Sequence, residues 1–241
     1  LQSHEAALKS KRVHAENFRL IETESNKINA ATIVQPVEDK CVVVNPPYPT
    51  MTTEELDAIY DLPFMYHPHP KYKNKHIPAY EMIRFSVCMH RGCFGGCSFC
   101  ALTYHQGRQV RARSKESIVN EAKLLTEMKD FKGYIHDVGG PTANFRFPSC
   151  QKQIKSGLCA DKKCLAPTIC PALEVDHSDY LELLRKLRRL PKIKKVFIRS
   201  GIRFDYLLAD KDESFFKELV EHHISGQLKV APEHCSKNVL N

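Results

Sequence analysis

The 241-residue sequence has no apolar run that approaches the roughly 20 residues needed to cross a membrane. Its opening stretch, LQSHEAALKSKRVHAENF, also lacks the apolar core of a secretory signal peptide. Ten cysteines in such a chain argue against a disulfide framework, because cysteines in a reducing cytosol more often bind metals or take part in chemistry. We therefore expect a cytoplasmic protein whose cysteines are functional.

The most basic segment of the chain has no aromatic residues. The sequence carries 36 Lys and Arg against 28 Asp and Glu, a formal charge of +8, and the densest block is RKLRRLPKIKK at 185–195. Nucleic-acid surfaces usually add aromatic side chains on which bases stack, and this block offers none. The pattern favours a solvated helix face, with RNA, a phosphate-bearing cofactor or an anionic substrate as the alternative.

From about residue 82 the hydrophobic pattern alternates between short strands and helices. The predicted strands are MIRFSV, GYIHDVGG, KKVFIRSG and GQLKVAPEH, and helices are predicted at 114–128, at 179–190 and at ESFFKELVEHH. Strands joined by helices of this length must be parallel. Because each strand ends in residues with binding or catalytic potential, an α/β fold with a partial (β/α) barrel is favoured over an open dinucleotide-binding sheet.

The chain before this alternation has a different character. It begins with a polar helix, continues into KCVVVNPP, which predicts a short buried strand, and then shows a capping box formed by Thr52 and Glu55. We predict a small α/β N-terminal segment with a linker at 1–80 and the barrel at 81–241, with a cysteine-rich insertion at 145–175. Since the sequence starts at Leu1 and stops at SKNVLN, we expect a fragment of a longer protein and an incomplete barrel.

Three cysteines lie within eight positions directly after the first predicted barrel strand. Cys93, Cys97 and Cys100 have the spacing C-x3-C-x2-C, without the fourth thiolate that a closed zinc site or a ferredoxin-like cluster uses. Three ligands would leave one iron of a [4Fe-4S] cluster open to a substrate or cofactor. Phe94 and Phe99 are placed to shield such a cluster from solvent.

This spacing, with an aromatic residue before the last cysteine, resembles the signature of the radical S-adenosylmethionine (radical SAM) superfamily. The segments HRGCFGGCSFCAL, HQGR, DVGGPTAN, LKVAPEH and NPPYPTMTTEELDAIYDLPF are similar to YgiQ-type radical SAM proteins, and the similarity covers most of the chain. It implies that the three cysteines hold a [4Fe-4S] cluster whose open iron binds S-adenosylmethionine. An electron from a donor such as a flavodoxin or ferredoxin would then cleave S-adenosylmethionine to a 5′-deoxyadenosyl radical, which takes hydrogen from an unassigned substrate.

The resemblance also implies cofactor-binding positions. Glycines after the second strand stand where the superfamily has a segment near the methionine amino group, and Pro141 replaces the usual acidic residue. Arg203 is a further candidate, and a capped strand end is the alternative role for the glutamate of LKVAPEH. The predicted cofactor contacts are Phe99, Gly139, Gly140, Ser200 and Glu233.

A second group of cysteines lies in CQKQIKSGLCADKKCLAPTIC, a segment with little apolar content. Such a segment can hardly fold without a cross-link, and a bound metal is the cross-link available in the cytosol. We predict a second metal centre, zinc or iron–sulfur, at Cys150, Cys159, Cys164 and Cys170. The alternative is that these are free buried cysteines. His90 and His105 flank the first cysteine loop, where a packing or surface role competes with a hydrogen bond to a cluster sulfur or to the substrate.

Two other functions fit the sequence. One is a radical enzyme that modifies RNA or protein, in the manner of a methylthiotransferase, which the basic block suggests. The other is a zinc-stabilised binding module without catalysis, which would be colourless and lack sulfide. Four strands also leave one sheet edge unpaired, so we expect these residues alone to bind a cluster but to turn over little substrate.

Overall fold

The computed structural model describes residues 1–73, 75–160, 164–230, 232 and 236–240. Its helices are α1 (His4–Lys9), α2 (Lys11–Ser25), α3 (Thr53–Tyr60), α4 (Pro78–Ile83), α5 (Leu102–Gln106), α6 (Lys115–Thr126), α7 (Gln151–Lys155), α8 (Ser178–Arg188), α9 (Phe204–Leu208), α10 (Ser214–Glu218) and α11 (Lys237–Leu240). A 3₁₀ turn spans Pro70–Tyr72, and a π-helical turn, Leu219–His223, continues α10. The strands are β1 (Ile33–Val37), β2 (Lys40–Val44), β3 (Ser86–Cys88), β4 (His90–Arg91), β5 (Arg111–Ala112), β6 (Tyr134–Ile135), β7 (Asp137–Gly139) and β8 (Lys195–Val196).

The N-terminal region combines helices with a hairpin. Strands β1 and β2 pair antiparallel, with Ile33 opposite Val44. The prediction of a buried strand at KCVVVNPP is wrong, because every residue of β2 is exposed and β1 is its only described strand partner. A two-stranded sheet has no second layer of its own to cover both faces. The predicted capping box of α3 is confirmed, with Thr52 and Glu55 each capping the other's backbone N–H.

The second half contains the predicted parallel strands. β3 pairs parallel with β7 through Val87 and Val138, β6 pairs parallel with β8, and a parallel bridge joins Ile202 to Val230. Strands β6 and β7 are consecutive pieces of one stretch. The parallel strands therefore lie side by side in the order in which they occur in the chain: β3, then β6 and β7, then β8. Of the predicted strand GQLKVAPEH, the described residues show only the bridge at Val230. Within the described ranges the strands do not close a barrel.

The main core lies between these strands and two helices. Helix α6 begins after the N-cap Ser114, as predicted, and buries one apolar face, while α8 buries another. Each large aliphatic side chain removed from water contributes about 1.5–3 kcal/mol. The hydroxyl of Tyr180 on α8 donates to the carbonyl of Val138 at 2.5 Å, so its one polar atom is satisfied. The predicted inward residues are all buried: Ile118, Ala122, Leu125, Tyr180, Leu183, Leu184 and Leu187.

A buried arginine ties the N-terminal region to this core. Arg113 is 1% exposed and forms an ion pair with Glu121 of α6. Its guanidinium donates to the carbonyl of Cys88 at 2.9 Å and to the hydroxyl of Ser117 at 2.8 Å. Its central carbon lies 3.8 Å from the ring centre of Tyr60 in α3. Such a charge is tolerated in the interior because its donors are paired.

Acidic neighbours match much of the charge of the basic block at 185–195. Arg185 and Arg188 both pair with Glu218, at 2.8 and 2.9 Å. Lys186 pairs with Glu182 within α8, and Lys192 pairs with Glu127 of α6. This arrangement is typical of a solvated helix face. No helix in the described part of the chain is long and apolar enough to span a membrane.

Candidate functional site

The loop between β4 and α5 contains Cys93, Cys97 and Cys100 and brings the first two of these to the carboxyl ends of the parallel strands. The Sγ of Cys93 lies 3.2 Å from the hydroxyl oxygen of Thr142, which follows β7. The Sγ of Cys97 accepts a hydrogen bond of 3.4 Å from Nη1 of Arg203, which precedes α9. Cys93 is buried, Cys97 and Cys100 are half-buried, and all three are free thiols.

The residues around this loop suit an iron–sulfur cluster. Thiolate ligands are negatively charged and gain from nearby hydrogen-bond donors, and two of the three sulfurs have one. Phe94 is buried and stacks on Phe145 with ring centres 3.8 Å apart, which gives the loop an apolar base. Phe99 is 70% exposed, and its role in shielding a cluster from solvent stays a prediction. Its contact with a cofactor stays a prediction.

Two glycines let other side chains come close to the end of β7. A Cβ atom on Gly139 would lie 2.6 Å from the Cβ of Ser200, and one on Gly140 would lie 2.6 Å from Nδ1 of His90. Both distances are too short for real carbon atoms. The predicted cofactor residues Gly139, Gly140 and Ser200 are therefore brought together. Glu233, the fourth strand-end candidate, lies outside the described residues.

Asp137, which was not a candidate from the sequence, holds Ser200 in place beside Gly139. Its carboxylate accepts from the backbone N–H groups of Arg199 and Ser200, at 2.7 and 3.0 Å, and from the Ser200 hydroxyl. The Ser200 hydroxyl thus has a partner before any ligand binds. The only signal in the sequence was an acidic residue two positions before the glycine pair, inside a predicted strand.

His90 and His105, whose roles the sequence left open, lie in opposite environments. His90 is completely buried, and neither of its ring nitrogens has a hydrogen-bond partner in the described chain. Burial, and then the positive charge of Arg146, lower the pKa of His90 to about 3, so its ring is neutral. Its ring fills the space that a side chain at residue 140 would need. His105 is exposed on α5.

Two family models of known proteins together match residues 1–239. Residues 1–86 match the family model described as Radical SAM N-terminal, and residues 87–239 match that of the Radical SAM superfamily. The second match includes the cysteine loop, the glycine pair and Arg203. The chain belongs to the radical SAM superfamily. Membership of this superfamily indicates an enzyme.

Curated relatives of this radical SAM chain are similar along its full length. A protein named UPF0313 protein from Clostridium botulinum is 54% identical over 242 residues, covering 100% of this chain and 38% of the relative. Another UPF0313 protein, from Clostridium perfringens, is 55% identical over 241 residues and is covered to 36%. The resemblance to YgiQ-type proteins is thereby confirmed. The chain spans little more than a third of the length of these relatives.

Two cysteines of the second group in the radical SAM chain contact one glutamine. Gln153 in α7 donates through its backbone N–H to the Sγ of Cys150 at 3.4 Å and through its side chain to the Sγ of Cys164 at 3.6 Å. Burial raises the pKa of the Cys164 thiol, and the charges of Cys150, Cys159 and Cys170 raise it further. The four cysteines are therefore electrostatic neighbours. As placed, neither they nor any other described His, Cys, Asp or Glu residues form a group of three or more suited to one metal ion.

A cavity lies beside the radical SAM cysteine loop rather than over it. It has a volume of about 570 Å³, which is large enough for a small molecule. None of the three cysteines lines it. The walls come from the N-terminal region, from β4 before the cysteines and from the segment after them, and include Ile21, Tyr48, Met51, Arg91, Tyr104 and Arg111.

Proposed function

We propose that the protein is a radical SAM enzyme in which Cys93, Cys97 and Cys100 hold a [4Fe-4S] cluster with one iron free for S-adenosylmethionine. The observation that carries the proposal is the loop of three free thiols at C-x3-C-x2-C spacing, in which the Sγ of Cys93 lies beside the Thr142 hydroxyl and the Sγ of Cys97 accepts from Arg203. With S-adenosylmethionine bound, the cluster would supply reductive cleavage to a 5′-deoxyadenosyl radical, using an electron from a flavodoxin or ferredoxin.

The chain's own residues would position and shield that chemistry. Thr142 and Arg203 orient the sulfurs of Cys93 and Cys97, and the stacked rings of Phe94 and Phe145 keep water from the base of the loop. The close-packed corner of Gly139, Gly140 and Ser200 lies beside this loop and is proposed to receive the cofactor. Phe99 and Glu233 complete the proposed cofactor contacts.

The test is anaerobic reconstitution with iron and sulfide, followed by an assay for 5′-deoxyadenosine. Replacing the three loop cysteines with Ala, in a background that also lacks Cys150, Cys159, Cys164 and Cys170, should abolish the cluster's absorption and its low-temperature EPR signal. Replacing the exposed Cys41 with Ala is the control and should leave both unchanged. An intact [4Fe-4S] signal in the variant without the loop cysteines would overturn the assignment.

We also propose a second metal centre, zinc or iron–sulfur, at Cys150, Cys159, Cys164 and Cys170. The two hydrogen bonds from Gln153 and the electrostatic influence of the other three thiols on Cys164 support it. Metal analysis of the variant without the loop cysteines should then find zinc or residual iron. A folded but metal-free variant would mean that the four are free thiols.

The substrate class and the extent of the functional unit are proposals as well. The RNA- or protein-modifying alternative loses support because acidic partners neutralise much of the basic block. Sulfide analysis separates the radical enzyme from a zinc-stabilised binding module. We propose that 1–80 forms an N-terminal region with its linker and that 81–241 forms the radical SAM core of a cytoplasmic enzyme. The much longer relatives suggest that further chain supplies the substrate contacts, so these residues alone should bind a cluster yet turn over little substrate.

A further inference from the structure

The guanidinium that contacts Cys97 is held in a fixed orientation. Asp205 engages Arg203 through two hydrogen bonds, from Nε at 2.7 Å and from Nη2 at 3.0 Å. A bidentate pair of this kind fixes the plane of the guanidinium as well as its position. The remaining nitrogen, Nη1, points at the Sγ of Cys97.

The backbone of Arg203 is clamped from a different part of the chain. The side chain of Asn144, 2% exposed, accepts from the N–H of Arg203 at 2.8 Å and donates to its carbonyl at 3.1 Å. One amide therefore satisfies both polar groups of residue 203. Asn144 lies in the segment DVGGPTAN after β7, two residues beyond the Thr142 that contacts Cys93.

A buried histidine fixes the orientation of that amide. Nε2 of His177 lies 3.2 Å from Nδ2 of Asn144, and Nδ1 lies 2.6 Å from a carboxylate oxygen of Asp210. Since the carboxylate accepts, the proton of the neutral ring sits on Nδ1 and Nε2 accepts from Asn144. The imidazole also stacks on Phe215, with ring centres 4.7 Å apart. A continuous set of contacts thus runs from Asp210 through His177 and Asn144 to Arg203.

We propose that Arg203 is a positioning residue that sets the reduction potential of the loop cluster through its hydrogen bond to Cys97, and that Asn144 and His177 hold it there. This inference rests on the function proposed above. Hydrogen bonds and positive charge near cluster sulfurs stabilise the reduced, more negative form and so raise the potential. Every contact in the set is made by described residues.

The experiment measures the midpoint potential of the reconstituted cluster by dye-mediated titration followed by EPR. Arg203→Met should give a more negative potential, Arg203→Lys should recover part of the shift through its charge, and Asn144→Ala should shift it in the same direction by a smaller amount. Arg189→Met is the matched control, because it removes an exposed arginine at the end of α8 and should leave the potential unchanged.

The possible outcomes separate this inference from the proposed function. If the unaltered protein takes up no cluster, the proposed function is wrong and the inference falls with it. If the cluster forms and its potential is the same in Arg203→Met and Asn144→Ala as in the unaltered protein, the inference alone is overturned. Should Arg203→Met fail to fold, the Arg203→Lys and Asn144→Ala variants decide the question by the same comparison.

Discussion

Acidification should destabilise this protein in part through one buried histidine, His223, at the end of the π-helical turn. Its Nδ1 donates to the carbonyl of Val196 at 2.7 Å, and Nε2 has no partner in the described chain. Burial lowers the pKa of His223 to about 4 from an ordinary value of 6.5. The folded state therefore keeps this ring neutral over a pH range in which the unfolded chain protonates it.

The size of the effect follows from these two values. Near pH 5 about 97% of the unfolded chains but only about 9% of the folded ones carry the proton on residue 223. Because the unfolded state binds more protons, stability is complete above about pH 6.5 and falls as the pH drops toward the folded pKa. Between about pH 7 and about pH 5 this single group should remove about 2 kcal/mol from the free energy of unfolding.

The assay is urea unfolding followed by circular dichroism at both pH values. His223→Gln removes the titrating group and keeps an amide donor for the Val196 carbonyl, so its loss of stability on acidification should be smaller by about 2 kcal/mol. His14→Gln, on the exposed surface of α2, is the control and should behave as the unaltered protein does. Other titrating groups cancel in this comparison. An equal loss in His223→Gln and the unaltered protein would refute the reasoning.

Two further predictions concern packing and charge. Gly140→Ala should lower the free energy of unfolding by about 1–3 kcal/mol, because the new Cβ meets the ring of His90. Gly201→Ala is the control and should be nearly neutral, because a Cβ there has nothing within 4 Å. Equal free energies of unfolding for the two variants in urea would contradict the crowding argument. Arg113→Leu should cost about 3–5 kcal/mol by leaving Glu121 buried without its partner. The double variant with Glu121→Leu should be more stable than Arg113→Leu alone, and a lower stability of the double variant would count against this account.

Much of the fold could be predicted from the sequence because its signals are local. The inward face of α8 follows from residue spacing within one helix, and the capping box of α3 lies within four residues. The parallel direction of the strands follows from the length of the helices between them. The exposure of β2 was not predictable in this way, since an apolar run does not say whether another layer covers it.

The sequence by itself determined the three-cysteine loop, its place after a strand, and the family. Only the tertiary structure decided which side chains surround that loop. It placed Arg203 on Cys97, more than 100 positions earlier in the chain, and Asn144 on the backbone of Arg203. It also set Asp137 against Ser200 and His90 against Gly140. These pairs depend on how parallel strands align their carboxyl ends, so partners far apart in sequence meet at one edge and leave no pattern in the spacing of residues.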